Sequence, residues 1–336
     1  MSIKINDNEI KKVYLMKAGT NEFIKQNKLF LNENVIFKPG GWSALLVSPF
    51  YDTSFHYTPY CVQDDDFIYV AFKTYYYKYN KATEEWTKIS MPIQSYNQRC
   101  NGLILNNNFL YACTQYNSSS SPGLILKYDL TNSKGEVYLI EDKHINSIDL
   151  EDNILRYSLF NKYAIYQYNM NTLEYTTTLS TNNANQYCYK IIHDNNYIYS
   201  SGSSMTFVLI QKSDNSVIKY SEMGSILEQD ENNVYFGYYG TLKIFNKSTK
   251  TTKSIVLGNS SPYPNLRAAV NYNNILYIGC DDNNIYKYDK IKETVECISE
   301  IPGPFSSESN GLQNMIFYDD TLYVFGDYGE FAKFNL

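Results

Sequence analysis

The sequence predicts an all-β protein, a seven-bladed β-propeller of four-stranded blades, and three observations carry that expectation. The first is a repeated phrase, a polar turn followed by a short apolar strand. It is written as Asp65-Asp66-Phe67-Ile68-Tyr69, Asn107-Asn108-Phe109-Leu110-Tyr111, Asp152-Asn153-Ile154-Leu155-Arg156 and Asn195-Asn196-Tyr197-Ile198-Tyr199. It returns as Asn232-Asn233-Val234-Tyr235, Asn273-Asn274-Ile275-Leu276-Tyr277 and Asp319-Asp320-Thr321-Leu322-Tyr323. The second observation is the spacing, roughly 42 residues, which fits four short strands per unit with no helical stretch between copies. The third is composition. Thirty-five tyrosines suit half-buried pleated strands, and Asn and Asp gather where turns are needed because they tolerate left-handed backbone. A single four-stranded sheet cannot bury both faces, so such sheets stack around an axis.

In chain order, residues 1–40 lack the repeat. Ile3-Lys4-Ile5, the turn Asn6-Asp7-Asn8 and Glu9–Leu15 read as a small hairpin. A second pairing is expected between Glu22–Lys25 and Leu29–Leu31, with Val35–Phe37 after it. Lys38-Pro39-Gly40-Gly41 punctuates the chain and sets the boundary, with the propeller in 41–336. Blade 1 supplies Phe67–Phe72, Tyr75–Tyr79 and Trp86–Ile89; blade 2 supplies Leu103–Leu105, Phe109–Thr114, Leu124–Asp129 and Val137–Ile140. Blade 3 adds Ala164–Tyr168 and Tyr175–Leu179, and blade 4 adds Phe207–Gln211 and Val217–Tyr220. Blades 5 and 6 add Leu242–Phe245, Ser254–Leu257, Ile285–Tyr288 and Val295–Ile298. Blade 7 has Leu322–Phe325 and Phe331–Phe334, then the chain stops one strand short. An open sheet edge there would invite aggregation. Ser43-Ala44-Leu45-Leu46-Val47 is expected to fill it and close the ring.

A net charge of −6, with Arg99, Arg156 and Arg267 as the only arginines, argues against non-specific nucleic-acid or anionic-lipid binding. No apolar run reaches membrane-spanning length, and the first residues lack the apolar core of a signal peptide. Synthesis in the cytoplasm is expected. The six cysteines form no CxxC pair, and buried thiols are expected rather than zinc or disulfides. His56, His144 and His193 lie in different blades without ligand spacing. No nucleophile elbow, zinc helix, phosphate loop or dinucleotide fingerprint is present, and no cofactor or metal is expected.

Two resemblances add to this reading. Lys78-Tyr79-Asn80-Lys81-Ala82-Thr83-Glu84-Glu85-Trp86 resembles a kelch repeat, in which a Tyr-Asp turn leads to a Trp-bearing outer strand. Lys127-Tyr128-Asp129 and Lys287-Tyr288-Asp289 are similar, although the paired kelch glycines are missing, with only Gly202, Gly237, Gly279 and Gly326 near that place. The opening Ile3-Lys4-Ile5-Asn6-Asp7-Asn8-Glu9-Ile10-Lys11-Lys12-Val13-Tyr14 resembles the hairpin openings of phage tail and baseplate-associated proteins. That resemblance implies a virion component, with Ile5, Ile10, Val13 and Tyr14 attaching it to other particle proteins.

Binding would be built where loops between blades converge with loops between second and third strands. That rim carries Tyr96, Arg99, Tyr116, Tyr187, Tyr238, Tyr239, Tyr263, Arg267, Asp281, Asp282, Phe305, Asp327 and Tyr328. Aromatic rings with Asn, Asp and Arg groups suit a protein or glycan partner. The expected function is therefore a non-enzymatic phage tail or baseplate protein that meets a host-surface ligand or a neighbouring virion protein. A bacterial interaction scaffold, cytoplasmic or at the cell surface, is the alternative. A carbohydrate-active propeller using Asp281, Asp282 and Asp327 is the third class, because paired carboxylates can do acid–base work on glycosides.

Overall fold

In the computed structural model, residues 4–5, 8–9, 29–31, 34–37, 41–46, 48–49, 58–92, 98–116, 122–160, 162, 164–180, 188–202, 206–257, 264–300 and 311–335 are described. All their regular elements are strands. Seven four-stranded antiparallel sheets follow one another along the chain, the strands lying within 60–89, 98–141, 145–180, 188–223, 225–256, 266–300 and 312–335 with 41–46. The first six are simple meanders, and the innermost strands of successive sheets neighbour one another around the axis. The protein is a seven-bladed β-propeller.

Blade 7 takes its outer strand from Gly41–Leu46, which runs antiparallel to Phe331–Asn335 with Leu46 opposite Phe331 and Gly41 opposite Asn335. The open edge read from the sequence is closed by the segment expected to close it; Val47 lies outside the described residues. Two small two-stranded sheets precede the ring. Lys4–Ile5 pairs with Asn8–Glu9, and Leu29–Leu31 pairs with Asn34–Phe37. Leu29–Leu31 thus pairs forward in the chain, whereas Glu22–Lys25 lies outside the described residues, as do Ile10, Val13 and Tyr14.

The core sits between blades. Second strands are buried on both faces: Ile68, Val70 and Phe72 face Phe325 and Phe331 of blade 7, while Tyr69 and Ala71 face Leu110 and Ala112 of blade 2. Such burial removes apolar area from water at about 25 cal/mol per Å². Seven apolar clusters, one for each gap, repeat the scheme around the ring. Gly237 and Gly279 end second strands where the next blade comes closest. A Cβ at Gly237 would lie 2.6 Å from Leu266, and one at Gly279 closer still to Leu312, so these positions admit no side chain without displacement.

The repeat tyrosine has a mechanical role. In blade 1, Asp64 accepts hydrogen bonds from the backbone N–H of Asp66 and Phe67 and from the Tyr69 hydroxyl at 2.7 Å. Asp194 with Tyr199 and Asp230 with Tyr235 repeat this arrangement. The lysine after the third strand of the next blade then reaches back: Lys247 to Asp194 at 3.5 Å and Lys290 to Asp230 at 2.7 Å. Lys212 holds Glu151, five residues before Arg156, in the same way. At the ring closure Lys81 lies 3.6 Å from the ring centroid of Tyr318, which takes the acid's position in blade 7.

These latches predict acid sensitivity. Burial by itself would raise the carboxyls of Asp194, Asp230 and Glu151. The tyrosine, backbone, lysine and arginine partners outweigh it and hold each below its ordinary value. Their stabilisation is complete above the unfolded carboxylate range, about pH 4, and is lost as pH falls through the lower folded values. Urea midpoints should therefore hold between pH 7 and about 5 and drop below about 4. A midpoint flat down to pH 2.5 would remove the latches from the stability of the ring.

Candidate functional site

The two rims of the ring differ in construction. First-to-second and third-to-fourth strand turns form a hairpin rim, tight and regular. Crossovers between blades meet the second-to-third strand loops on the other side, the crossover rim, and the described residues among those singled out in the sequence lie there. Tyr96, Tyr187, Tyr263 and Phe305 are outside the described residues; Tyr116 ends the strand Phe109–Tyr116. The remaining eight can be placed.

Six inner strands begin with a β-bulge at this rim, between Cys100 and Gly102, Ile145 and Ser147, Cys188 and Lys190, Ile226 and Glu228, Leu266 and Ala268, and Leu312 and Asn314. A bulge re-aims one side chain. Four of the bulged residues are polar: Asn101, Asn146, Arg267 and Gln313. Asn101 donates to Gln115 and to the carbonyl of Ile145 in blade 3, and Gln313 accepts from Thr58 at 3.3 Å. Arg267 and Arg99 therefore occupy different positions, since Asn101 is the counterpart of Arg267 and Arg99 stands two residues earlier. Sequence reading passed over the bulge set. In those four strands its signal is a single polar residue after an apolar one at the start of the inner strand, as in Cys100-Asn101-Gly102 and Ile145-Asn146-Ser147.

The rim carboxylates serve the loops. Asp281 accepts from the backbone N–H and side-chain amide of Asn265, both at 2.7 Å, and from Arg267 at 3.2 Å. It thereby ties a crossover to a second-to-third strand loop within blade 6. Asp282 caps its own turn through the N–H and amide of Asn284. Asp327 and Glu330, at 1% and 2% exposure, lie inside the loop Gly326–Glu330 of blade 7; the Glu330 carboxylate accepts from the Tyr328 N–H. Asp281 and Asp282 thus follow one another in blade 6, while Asp327 sits in blade 7. Tyr239 is exposed and lies against Tyr238 at a ring separation of 3.6 Å, an aromatic step at the edge of blade 5.

The cysteines divide by depth. Cys100, Cys113, Cys188 and Cys280 are buried, Cys61 is half-buried and Cys297 is exposed; none is in a disulfide. Burial pushes the Cys100 thiol up to about 12 and the Cys188 thiol up to about 11. His193 faces Asp149 at 2.8 Å across the gap between blades 3 and 4, a contact that the sequence did not announce. Among the described residues no group of His, Cys, Asp and Glu is arranged to hold a metal ion, and no helix is long and apolar enough to cross a membrane.

The sequence matches no family model and no curated protein. The kelch resemblance thus rests only on the turns and the Trp86 strand that suggested it. Solved structures are similar in fold. A chain of the mitotic checkpoint complex superposes with a TM-score of 0.69 at 10% identity, covering 97% of this chain and 98% of that one. A computationally designed protein gives a TM-score of 0.59 at 11% identity, covering 85% and 98%. The extracellular domain assigned to a hybrid two component system of B. thetaiotaomicron gives 0.67 at 14% identity; the match covers 88% of this chain and 43% of that one. At these identities the likeness is one of fold, a propeller scaffold compatible with protein interaction or ligand binding.

Proposed function

We propose that the protein is a non-enzymatic binding component of a phage or phage-like particle, anchored through residues 1–40 and presenting the crossover rim to a host-surface protein, a glycan or a neighbouring particle protein. The supporting observation is how the rim spends its carboxylates. Asp281 is committed to Asn265 and Arg267, and Asp282 to Asn284, so both stiffen loops. A stiff rim lowers the entropy lost on docking. The path of the chain suits the same reading. Gly41 begins the outermost strand of blade 7, opposite Asn335, so the chain enters the ring at its periphery and not at its axis.

Mass spectrometry of particles from an induced culture, with gold-labelled antibody imaging, tests this. Gold at the tail tip or baseplate is the expected result and directs attention to Tyr238, Tyr239 and Arg267. Gold on the head would indicate decoration of the capsid. Absence from particles would leave the cellular interaction scaffold as the account of the fold.

A further inference from the structure

The repeat is broken at two places, and both breaks meet at the junction of blades 3 and 4 on the hairpin rim. The first is Arg156, which stands where the six other blades carry the repeat tyrosine. It is 3% exposed, with its guanidinium 3.3 Å from Asp149, 2.5 Å from Glu151 and 3.2 Å from Gln167. The apolar cluster in this gap consists of Ile165, Cys188, Ile191, Ile198, Val208 and Ile210, without an aromatic ring among its described members.

The second break is Gln211. The equivalent residue in the six other blades is Asn or Asp, and in five of them, Asn80, Asp129, Asn169, Asn246 and Asp289, its side-chain oxygen accepts from the backbone N–H groups two and three residues on. The backbone of the blade 4 turn is unchanged, because Asn215 has φ of 57° and donates to the Gln211 carbonyl as Lys250 donates to Asn246. The side chain is one methylene too long to cap, and it bonds to the Ser213 hydroxyl instead. A cavity of about 350 Å³ lies beside it, lined by Asn195, Asn196, Tyr197, Gln211, Lys212 and Ser213.

We propose that this cavity binds a neutral, polyhydroxylated ligand the size of one sugar ring. Its volume falls at the small end of the roughly 300–1,000 Å³ found for small-molecule sites. The lining offers three side-chain amides and a hydroxyl, groups that both donate and accept, as vicinal hydroxyls require. The amides of Asn195 and Asn196 make no hydrogen bond among the described residues. Tyr197 supplies an aromatic wall, and Lys250 covers it from elsewhere, 3.6 Å from the ring centroid. Lys212 is the one charged group in the lining, and its ammonium is held by both oxygens of Glu151, which in turn is anchored by Arg156. The break at Arg156 thus neutralises the cavity that lies beside the break at Gln211. An anion would have to compete with Glu151 for Lys212; a neutral polyol would not.

The site lies on the opposite rim from the surface proposed above, so the two readings fail separately. Saturation-transfer difference NMR on the full chain, with glucose, galactose, mannose and N-acetylglucosamine each at millimolar concentration, is the test. At least one sugar should show transfer. Ser213→Trp, which fills the cavity from an exposed turn position, should weaken that transfer at least tenfold with an unchanged thermal midpoint. Gln211→Asn, which restores the turn cap, should weaken it likewise while holding or raising the midpoint. No transfer from any of the four sugars to the wild-type chain overturns the proposal. So does transfer that survives in both folded variants, or binding of inorganic phosphate in place of sugar.

Discussion

Deleting residues 41–46 should abolish the single cooperative unfolding transition of the ring. The deletion strips the outer strand from blade 7, exposes the third strand Phe331–Asn335 as an unpaired edge, and removes the ladder running from Leu46–Phe331 to Gly41–Asn335. The damage would not stay at the edge. Phe331 is fully buried and packs against Tyr79 and Trp86 of blade 1, with ring centroids 5.2 Å away in each case. Loosening blade 7 therefore opens the gap that joins the end of the ring to its beginning. One large-to-small change in such a core costs about 3–5 kcal/mol, against a total stability of about 5–15 kcal/mol for a typical domain. Loss of a whole strand should exceed the single-residue figure. Urea unfolding followed by circular dichroism and by Trp86 fluorescence would show a broad transition at reduced midpoint. Unchanged, coincident transitions would mean that another segment closes the ring.

Arg156 carries the second large effect. Arg156→Met should destabilise the chain by about 3 kcal/mol, the low end for removing one partner from a buried ion pair, because the guanidinium between Asp149 and Glu151 is lost while His193 stays on Asp149 and Lys212 on Glu151. Arg156→Tyr should cost markedly less, by about 2 kcal/mol on the scale of a hydrogen bond to a charged group. A phenol at this position has a partner waiting: Glu151 lies five residues earlier, as Asp64 does before Tyr69, Asp194 before Tyr199 and Asp230 before Tyr235. Equilibrium urea denaturation of the two variants decides it. If Arg156→Tyr is as unstable as Arg156→Met, the gap between blades 3 and 4 is not shaped for the repeat residue, and Arg156 is fitted to a packing of its own.

The ring was legible because its signals are local and repeated seven times. A polar turn followed by an apolar strand fixes where each second strand begins. Asn107, Asp152, Asn273 and Asp319 do adopt positive φ, the conformation for which Asn and Asp are suited. The missing last strand was legible by arithmetic, since three strands cannot complete a four-stranded blade. The pairing of Leu29–Leu31 with Asn34–Phe37 was not singled out in the sequence, because in so short a segment alternation does not say which neighbour a strand takes, and Glu22–Lys25 lies outside the described residues.

The composition of the crossover rim was readable, but its wiring was not. Aspartates at 281 and 282 look alike in the sequence, yet Asp281 reaches back to Asn265 and Arg267 while Asp282 turns forward to Asn284. The difference arises from which backbone a blade brings within 3 Å, a property of the closed sheet.

The sequence by itself determined the architecture, the number of blades, the strand that joins the ends and the turn chemistry, since each depends on patterns a few residues long. Only the tertiary structure decided that Lys290 latches Asp230 and Lys247 latches Asp194, and that Arg156 and Gln211 converge on one junction. Those partners stand roughly 50 to 60 positions apart in the chain, as with Arg156 and Gln211 or Asp230 and Lys290. Stacking one blade on the next is what makes them neighbours.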